Sequence, residues 1–247
     1  MITGATAGIG AACAHLYASN NYHLIITGRR QHLLETLKNK LENQYGVSVL
    51  SLCFDVRERQ EVEMQLGKLK DSWREIDVLI NNAGLAKGFS EIQNGNVDDW
   101  ETMIDTNVKG LLYVSKQIMP MMIKRKQGHI VNIGSIAGKE VYTKGNVYCA
   151  TKHAVEALTK AMRIDLLPHK IKVSAVCPGA VNTEFSTVRF DGDKEKADSV
   201  YDGYQPLNAE DVAEAIYFVT SRPAHVNIND LLFMPTAQAN TTHLLRE

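Results

Sequence analysis

Thr3-Gly4-Ala5-Thr6-Ala7-Gly8-Ile9-Gly10 is the stretch on which the fold turns. The apolar lead-in Met1-Ile2-Thr3 reads as a strand, and Ile9 to Asn20 reads as an amphipathic helix, so the glycines join one to the other. Glycines in such a joint allow a tight turn and close backbone approach, and a pyrophosphate can meet free N–H groups at the positive helix end. The spacing is G-x-x-x-G-x-G, not the G-x-G-x-x-G of the usual dinucleotide fingerprint, and turns also use glycine for simpler reasons. Placement directly after a first strand gives the motif its weight. A strand needs about five residues, and few precede Gly4. Either this strand is short or residues before Met1 are missing.

Outward from the glycines, short apolar runs alternate with helical patterns, the signature of a parallel sheet with crossover helices. The runs are His23–Thr27, Val47–Cys53, Ile76–Ile80, His129–Ile133, Lys172–Val176 and Leu231–Met234. Helices are expected over Gln31–Gln44, Glu58–Trp73, Val147–Leu167 and Ala209–Thr220. Val97–Arg125 holds two more, with Gly110 near the joint and Pro120 kinking the second. Right-handed crossovers place helices on both faces of one sheet. The expectation is an α/β chain with a doubly wound parallel sheet, forming a single domain over 1–247. Polar Ala180–Pro206, between a strand and a helix, is expected to be a substrate loop. A tail follows Pro235.

Lys and Arg number 27 against 28 Asp and Glu, a net charge of −1, which argues against nucleic acid or anionic membrane as partners. With 45% hydrophobic and 22% charged residues the chain is globular, and no apolar run reaches the ~20 residues of a membrane span. Cys13, Cys53, Cys149 and Cys177 lack zinc-ligand spacing and are expected to be reduced core residues. The eight histidines also lack ligand spacing, so no metal is expected. A glycine motif beginning at Gly4 leaves no room for a signal peptide, and the expected location is the cytoplasm.

Each expected strand end carries residues suited to a nucleotide. Thr27-Gly28-Arg29-Arg30 has no carboxylate where NAD enzymes bind the adenosine ribose. Two guanidiniums suit a 2′-phosphate instead, so Arg29 and Arg30 predict NADP. A solvated basic helix start is the plainer alternative, though the macrodipole disfavours it. Asp55-Val56 can accept from an adenine amino group, and Asn82-Ala83-Gly84 puts small residues where backbone must pass near a ribose.

The chemistry is expected elsewhere. Tyr148 and Lys152 stand four apart on one helical face, where an ammonium favours phenolate and brings a phenol of pKa near 10 toward working range. Ser135, after the His129–Ile133 run, can donate to a substrate carbonyl beside the tyrosine.

In order and spacing, Thr3-Gly4-xxx-Gly8-x-Gly10, Asn82-Ala83-Gly84, Asn107, Ser135, Tyr148-xxx-Lys152 and Pro178-Gly179 resemble the short-chain dehydrogenase/reductase family over essentially the whole chain. The resemblance implies a Rossmann-type fold and an Asn107–Ser135–Tyr148–Lys152 tetrad. In it Tyr148 is the acid/base, Ser135 orients the carbonyl, Lys152 binds the nicotinamide ribose, and Asn107 holds a relay water. It adds Thr6, Ile9, Val181 and Thr183, with Pro178 and Gly179, to the NADP contacts, and Phe185 to the substrate contacts. A narrower likeness rests on Asp99–Asn107, on Thr183-Glu184-Phe185-Ser186-x-Val188-Arg189-Phe190, and on Pro235-Thr236-x-Gln238-Ala239. These resemble the NADP-dependent 3-hydroxy acid dehydrogenases, which act on serine, allo-threonine and malonic semialdehyde. Two other readings are a carbonyl, steroid or ketoacyl reductase of the same family, and a non-catalytic NADP-binding sensor or scaffold.

Two expectations concern the rest of the chain. Arg189, between Val188 and Phe190, either grips a substrate carboxylate or pairs with Glu184 or Asp191 to hold the loop closed. The helices Gly110–Arg125 and Val147–Leu167 carry surplus apolar residues, among them Leu112, Ile118, Met122, Ala157 and Ala161. They point to a homotetramer, with the tail after Pro235 near a neighbour's active site.

Overall fold

Every strand pairs in parallel. β1 (Leu24–Gly28) pairs with β2 (Val49–Cys53), while β3 (Val78–Asn81), β4 (His129–Ile133), β5 (Lys172–Pro178) and β6 (Asp230–Phe233) lie side by side. Ile2 joins the two groups, bridging Ile26 on one side and Ile80 on the other. Its N–H donates to the Ile25 carbonyl at 2.8 Å, and Ile80 N–H donates to the Met1 carbonyl at 2.8 Å. The short first strand is thus one bridged position at the centre of the sheet. Strand order reverses there, which opens a crevice at the strands' C-terminal ends. The computed structural model describes residues 1–247, the side chain of Asp71 excepted.

The helices are α1 (Gly8–Ser19), α2 (Gln31–Tyr45), α3 (Arg59–Gly67), α4 (Val97–Ile104), α5 (Leu111–Arg125), α6 (Asn146–Leu166), α7 (Glu184–Arg189), α8 (Lys194–Ser199) and α9 (Ala209–Thr220). Leu34, Leu37 and Leu41 of α2, Cys13 and Tyr17 of α1, and Val212 and Ile216 of α9 pack with Ile26 and Val131 on one face of the sheet. Val62 and Leu66 of α3, Val114, Ile118 and Met122 of α5, and Val155 and Met162 of α6 pack with Ile25 and Ile130 on the other. Successive strand residues feed opposite cores, and both cores are apolar, which is why the strands read as unbroken apolar runs.

Local chemistry shifts several boundaries. α3 stops at Gly67, short of the expected Trp73, and a separate 3₁₀ turn spans Asp71–Arg74. The break in Val97–Arg125 is a π-helical segment, Asp105–Gly110, while α5 runs through Pro120. The expected loop holds two short helices capped by Thr183 and Asp193, whose side chains accept from Phe185 N–H and Lys196 N–H. Cys53 is exposed, not a core residue, because β2 ends at the rim of the sheet; Cys13, Cys149 and Cys177 are buried. Ile118 and Met122 fill this chain's own core, so neither can serve an interface. Leu112, Ile164 and Leu167 remain exposed. Among the described residues no helix is long and apolar enough to cross a membrane.

Candidate active site

The crevice is a cleft of about 930 Å³ lined by the glycine-rich turn, by the C-terminal ends of β1 to β5, and by the 180–206 loop. The glycines are required on steric grounds. Gly4 and Gly8 have φ of +65° and +51°, and a Cβ on Gly10 would lie 2.3 Å from the Gly4 carbonyl oxygen. Asn82 holds the turn in shape, donating from Nδ2 to the Thr3 and Gly4 carbonyls at 2.8 and 3.1 Å. Thr3 Oγ1 accepts from Asn82 and Ala83 N–H, both at 3.0 Å. Thr6, Ile9, Val56, Gly84, Pro178, Gly179, Val181 and Thr183 all line the same cleft.

At its adenosine end, Arg30 donates to Thr6 Oγ1 at 2.9 Å and to Glu184 at 3.1 Å, while Arg29 lies 3.5 Å from Asp55. Both guanidiniums are exposed at the mouth, where a phosphate can meet them. Asp55 is not the open carboxylate the sequence suggested, since its two oxygens accept from Arg57. Partial burial pushes its carboxyl up, but the Arg57 hydrogen bonds and charge outweigh this and hold it below the usual range.

At the other end stand Ser135, Tyr148 and Lys152, all buried. Lys152 Nζ donates to the Ile133 carbonyl at 2.8 Å and lies 5.9 Å from the Tyr148 ring centre. Burial pulls its ammonium down to about 8. Tyr148 departs from expectation: burial pushes its phenol above the ordinary value, and Ser135 and Arg189 draw it down only in part. Desolvation here outweighs the Arg189 charge. Asn107 projects from the π-helical segment, and its carboxamide makes three hydrogen bonds. It accepts from Leu85 N–H at 2.9 Å and donates to Leu85 O at 2.8 Å and Thr151 Oγ1 at 3.0 Å. The side chain thereby clamps the segment after Gly84.

Arg189 pairs with neither Glu184 nor Asp191; Arg30 takes the first and Lys87 the second. Its guanidinium sits among Phe89, Tyr142 and Tyr148 at 4.8, 5.5 and 5.8 Å from the ring centres, and donates to Tyr142 Oη at 2.9 Å. Phe185 packs edge-on to Tyr148 at 5.5 Å. Phe89 and Tyr142 escaped the sequence reading, because nothing in their spacing marks them as walls of a site. The tail after Pro235 reaches this chain's own cleft. Gln238 Oε1 accepts from Ala180 N–H at 2.9 Å, and Gln238, Thr241, Leu244 and Arg246 line this chain's own cleft. Outside it, Glu156, Cys177 and Asp230 converge within 4.8 Å, and the Lys139 ammonium pairs with both carboxylates.

The chain is similar to known proteins. A short chain dehydrogenase family model matches residues 1–194. The NADP-dependent 3-hydroxy acid dehydrogenase YdfG of Salmonella typhi is 46% identical over 240 residues, covering 97% of this chain and 95% of that one. The NADP-dependent 3-hydroxy acid dehydrogenase of Schizosaccharomyces pombe is 42% identical, covering 100% and 96%. A closed form of serine dehydrogenase complexed with NADP+ superposes with a TM-score of 0.94 at 44% identity, covering 100% and 98%. The chain belongs to the short chain dehydrogenase family.

Proposed function

We propose that this chain is an NADP-dependent oxidoreductase moving hydride between NADP(H) and the 3-hydroxyl carbon of a small 3-hydroxy acid of the serine, allo-threonine or 3-hydroxypropionate type. The observation that carries the reading is Arg189. Its guanidinium stands 5.8 Å from the Tyr148 ring, and among the described residues no carboxylate pairs with it. A 3-hydroxy acid carries a carboxylate near the reacting carbon, and a guanidinium can hold it with two parallel hydrogen bonds.

The cleft fits the cofactor. The glycine cradle would be filled by a Cβ at Gly10, and Arg29 and Arg30 are the cations for a 2′-phosphate. When bound, NADP supplies the hydride acceptor. Lys152, with one N–H donated to Ile133, has two left for the nicotinamide ribose. Ser135 donates to the oxygen on the reacting carbon and fixes its orientation. Tyr148, once its own phenolic proton has passed to solvent, takes the hydroxyl proton as the alcohol is oxidised and returns it in the reverse direction. The Asn107 clamp on Leu85 keeps the floor of the site in register.

We further assign a homotetrameric assembly and a cytoplasmic location. Exposed Leu112, Ile164 and Leu167 support the first, and four unpaired cysteines the second. The test is NADP reduction by the purified protein over a panel of 3-hydroxy acids and neutral alcohols of matching size. Acids are expected to turn over and neutral alcohols to lag. Tyr148→Phe should abolish turnover while retaining NADP binding; a Phe variant with wild-type kcat would refute the assignment.

A further inference from the structure

Arg30 is gripped from two separate segments. Its Nε and Nη2 donate to Thr6 Oγ1 in the glycine-rich turn, and Nη2 also donates to Glu184 Oε2 at 3.1 Å. Glu184 opens α7, so this contact ties the 180–206 loop to the rim of the nucleotide cleft. The loop presses on the turn at a second point, since a Cβ on Gly8 would lie only 3.2 Å from Thr183 Cβ. The other end of α7 is held independently, by Lys87 with Asp191 and by Gly88 N–H donating to the Arg189 carbonyl at 3.1 Å.

A carboxylate on a guanidinium offers two anionic oxygens to a planar fork, the same recognition that a phosphate monoester receives. We propose that Glu184 is a competing latch: on Arg30 its carboxylate occupies the place of the cofactor's 2′-phosphate. This rests on the reading of Arg30 as the 2′-phosphate ligand. A 2′-phosphate, with more charge and more acceptor oxygens, displaces Glu184; the 2′-hydroxyl of NAD cannot. Loading with NADP therefore releases α7 from the turn, and loading with NAD leaves it fastened. Glu184 thus reports the identity of the cofactor to the loop that carries Arg189.

Nucleotide fragments separate the latch from the chemistry. Adenosine 2′,5′-bisphosphate and 5′-AMP differ only in the phosphate that meets Arg30, and calorimetry reads their binding to the intact protein without turnover. Both partners of the pair are exposed, so Glu184→Gln is expected to tighten the bisphosphate by about two- to fivefold and leave AMP unchanged. Asp191→Asn, which loosens the same loop at the C-terminal end of α7, is expected to change neither. Unchanged or weaker bisphosphate binding in Glu184→Gln would overturn the latch, the latter making Glu184 a support for Arg30. An equal gain for AMP, or a gain in Asp191→Asn, would overturn it in favour of general loop loosening. Wild-type protein that binds both nucleotides equally would remove the Arg30 reading, and the latch with it.

Discussion

Lys152 is held in its charged form against the pull of burial. Keeping a proton at pH 7 on an amine whose pKa has fallen from 10.5 to about 8 costs about 3 kcal/mol, offset by about 1 kcal/mol from its bond to the Ile133 carbonyl. Lys152→Met should therefore abolish activity yet stabilise the fold by about 1–2 kcal/mol at neutral pH. Between about 8 and 10.5 the unfolded lysine binds more protons than the folded one, so wild-type stability rises with pH and the variant's advantage shrinks. Denaturation of both proteins across that window checks the sign; a gap that widened would contradict it. Arg189 makes a second claim at this scale. Arg189→Leu should raise KM for serine or 3-hydroxypropionate about ten- to a hundredfold, the loss of a charged hydrogen bond, with little effect on a neutral alcohol. A uniform loss would mean that it only fastens the loop to Gly88 and Tyr142. That Ser135, Tyr148 and Lys152 share one cleft was legible in sequence because the proposed chemistry demands particular groups at particular spacings. The partners of Arg30 and Arg189 were not, since ion-pair choice depends on how a loop folds across the strand ends. The raised pKa of Tyr148 was missed for a related reason, because burial belongs to the packed site and not to the residue pair.

The glycine-rich turn and the helix ends show how far local chemistry fixes an element. Gly10 faces backbone, the carbonyl of Gly4 at 2.3 Å from its would-be Cβ, and backbone there cannot yield without deforming the phosphate cradle. Gly10→Ala should destabilise by about 1–3 kcal/mol and weaken NADP binding about tenfold or more. Gly67, in the last turn of α3, meets nothing within 4 Å, so Gly67→Ala should stabilise by about 0.5–1 kcal/mol and leave NADP binding unchanged. Thermal melts with NADP titrations separate the two; loss of NADP affinity in Gly67→Ala would tell against a purely local role. Strand positions were legible to within a few residues, since apolar runs of the right length have few alternatives in a parallel sheet. The π-helical segment Asp105–Gly110 was not, because an added residue in a turn leaves the apolar period nearly unchanged. Its cause is tertiary: Asn107 is drawn in to clamp Leu85, and a Cβ on Gly110 would meet Val56 Cγ2 at 2.7 Å.

Several large apolar side chains stay exposed among the described residues, Ile164 and Leu167 most of all. Ile164 and Leu167, near the C-terminal end of α6, are 72% and 73% exposed, and Leu112 on α5 is 37% exposed. Monomers tolerate isolated exposed leucines, but two large apolar side chains three residues apart at one helix end form a shared face. The sequence pointed to these helices, yet it counted Ile118 and Met122 among the exposed set, because periodicity cannot say which of two apolar stripes meets the sheet. With those two assigned to the core, the proposed assembly would rest on a smaller surface, and charge placed there should be enough to break it. The wild-type protein should sediment as a tetramer of 27.4 kDa chains at micromolar concentration. Replacing both Ile164 and Leu167 by Asp should shift it to smaller species while preserving the monomer's helical content, since neither side chain contributes to the buried clusters. A tetramer that survived both substitutions would place the interface elsewhere, with exposed Phe218 of α9 and Leu232 of β6 as the next surface to test. A wild-type monomer at that concentration would refute the assembly altogether.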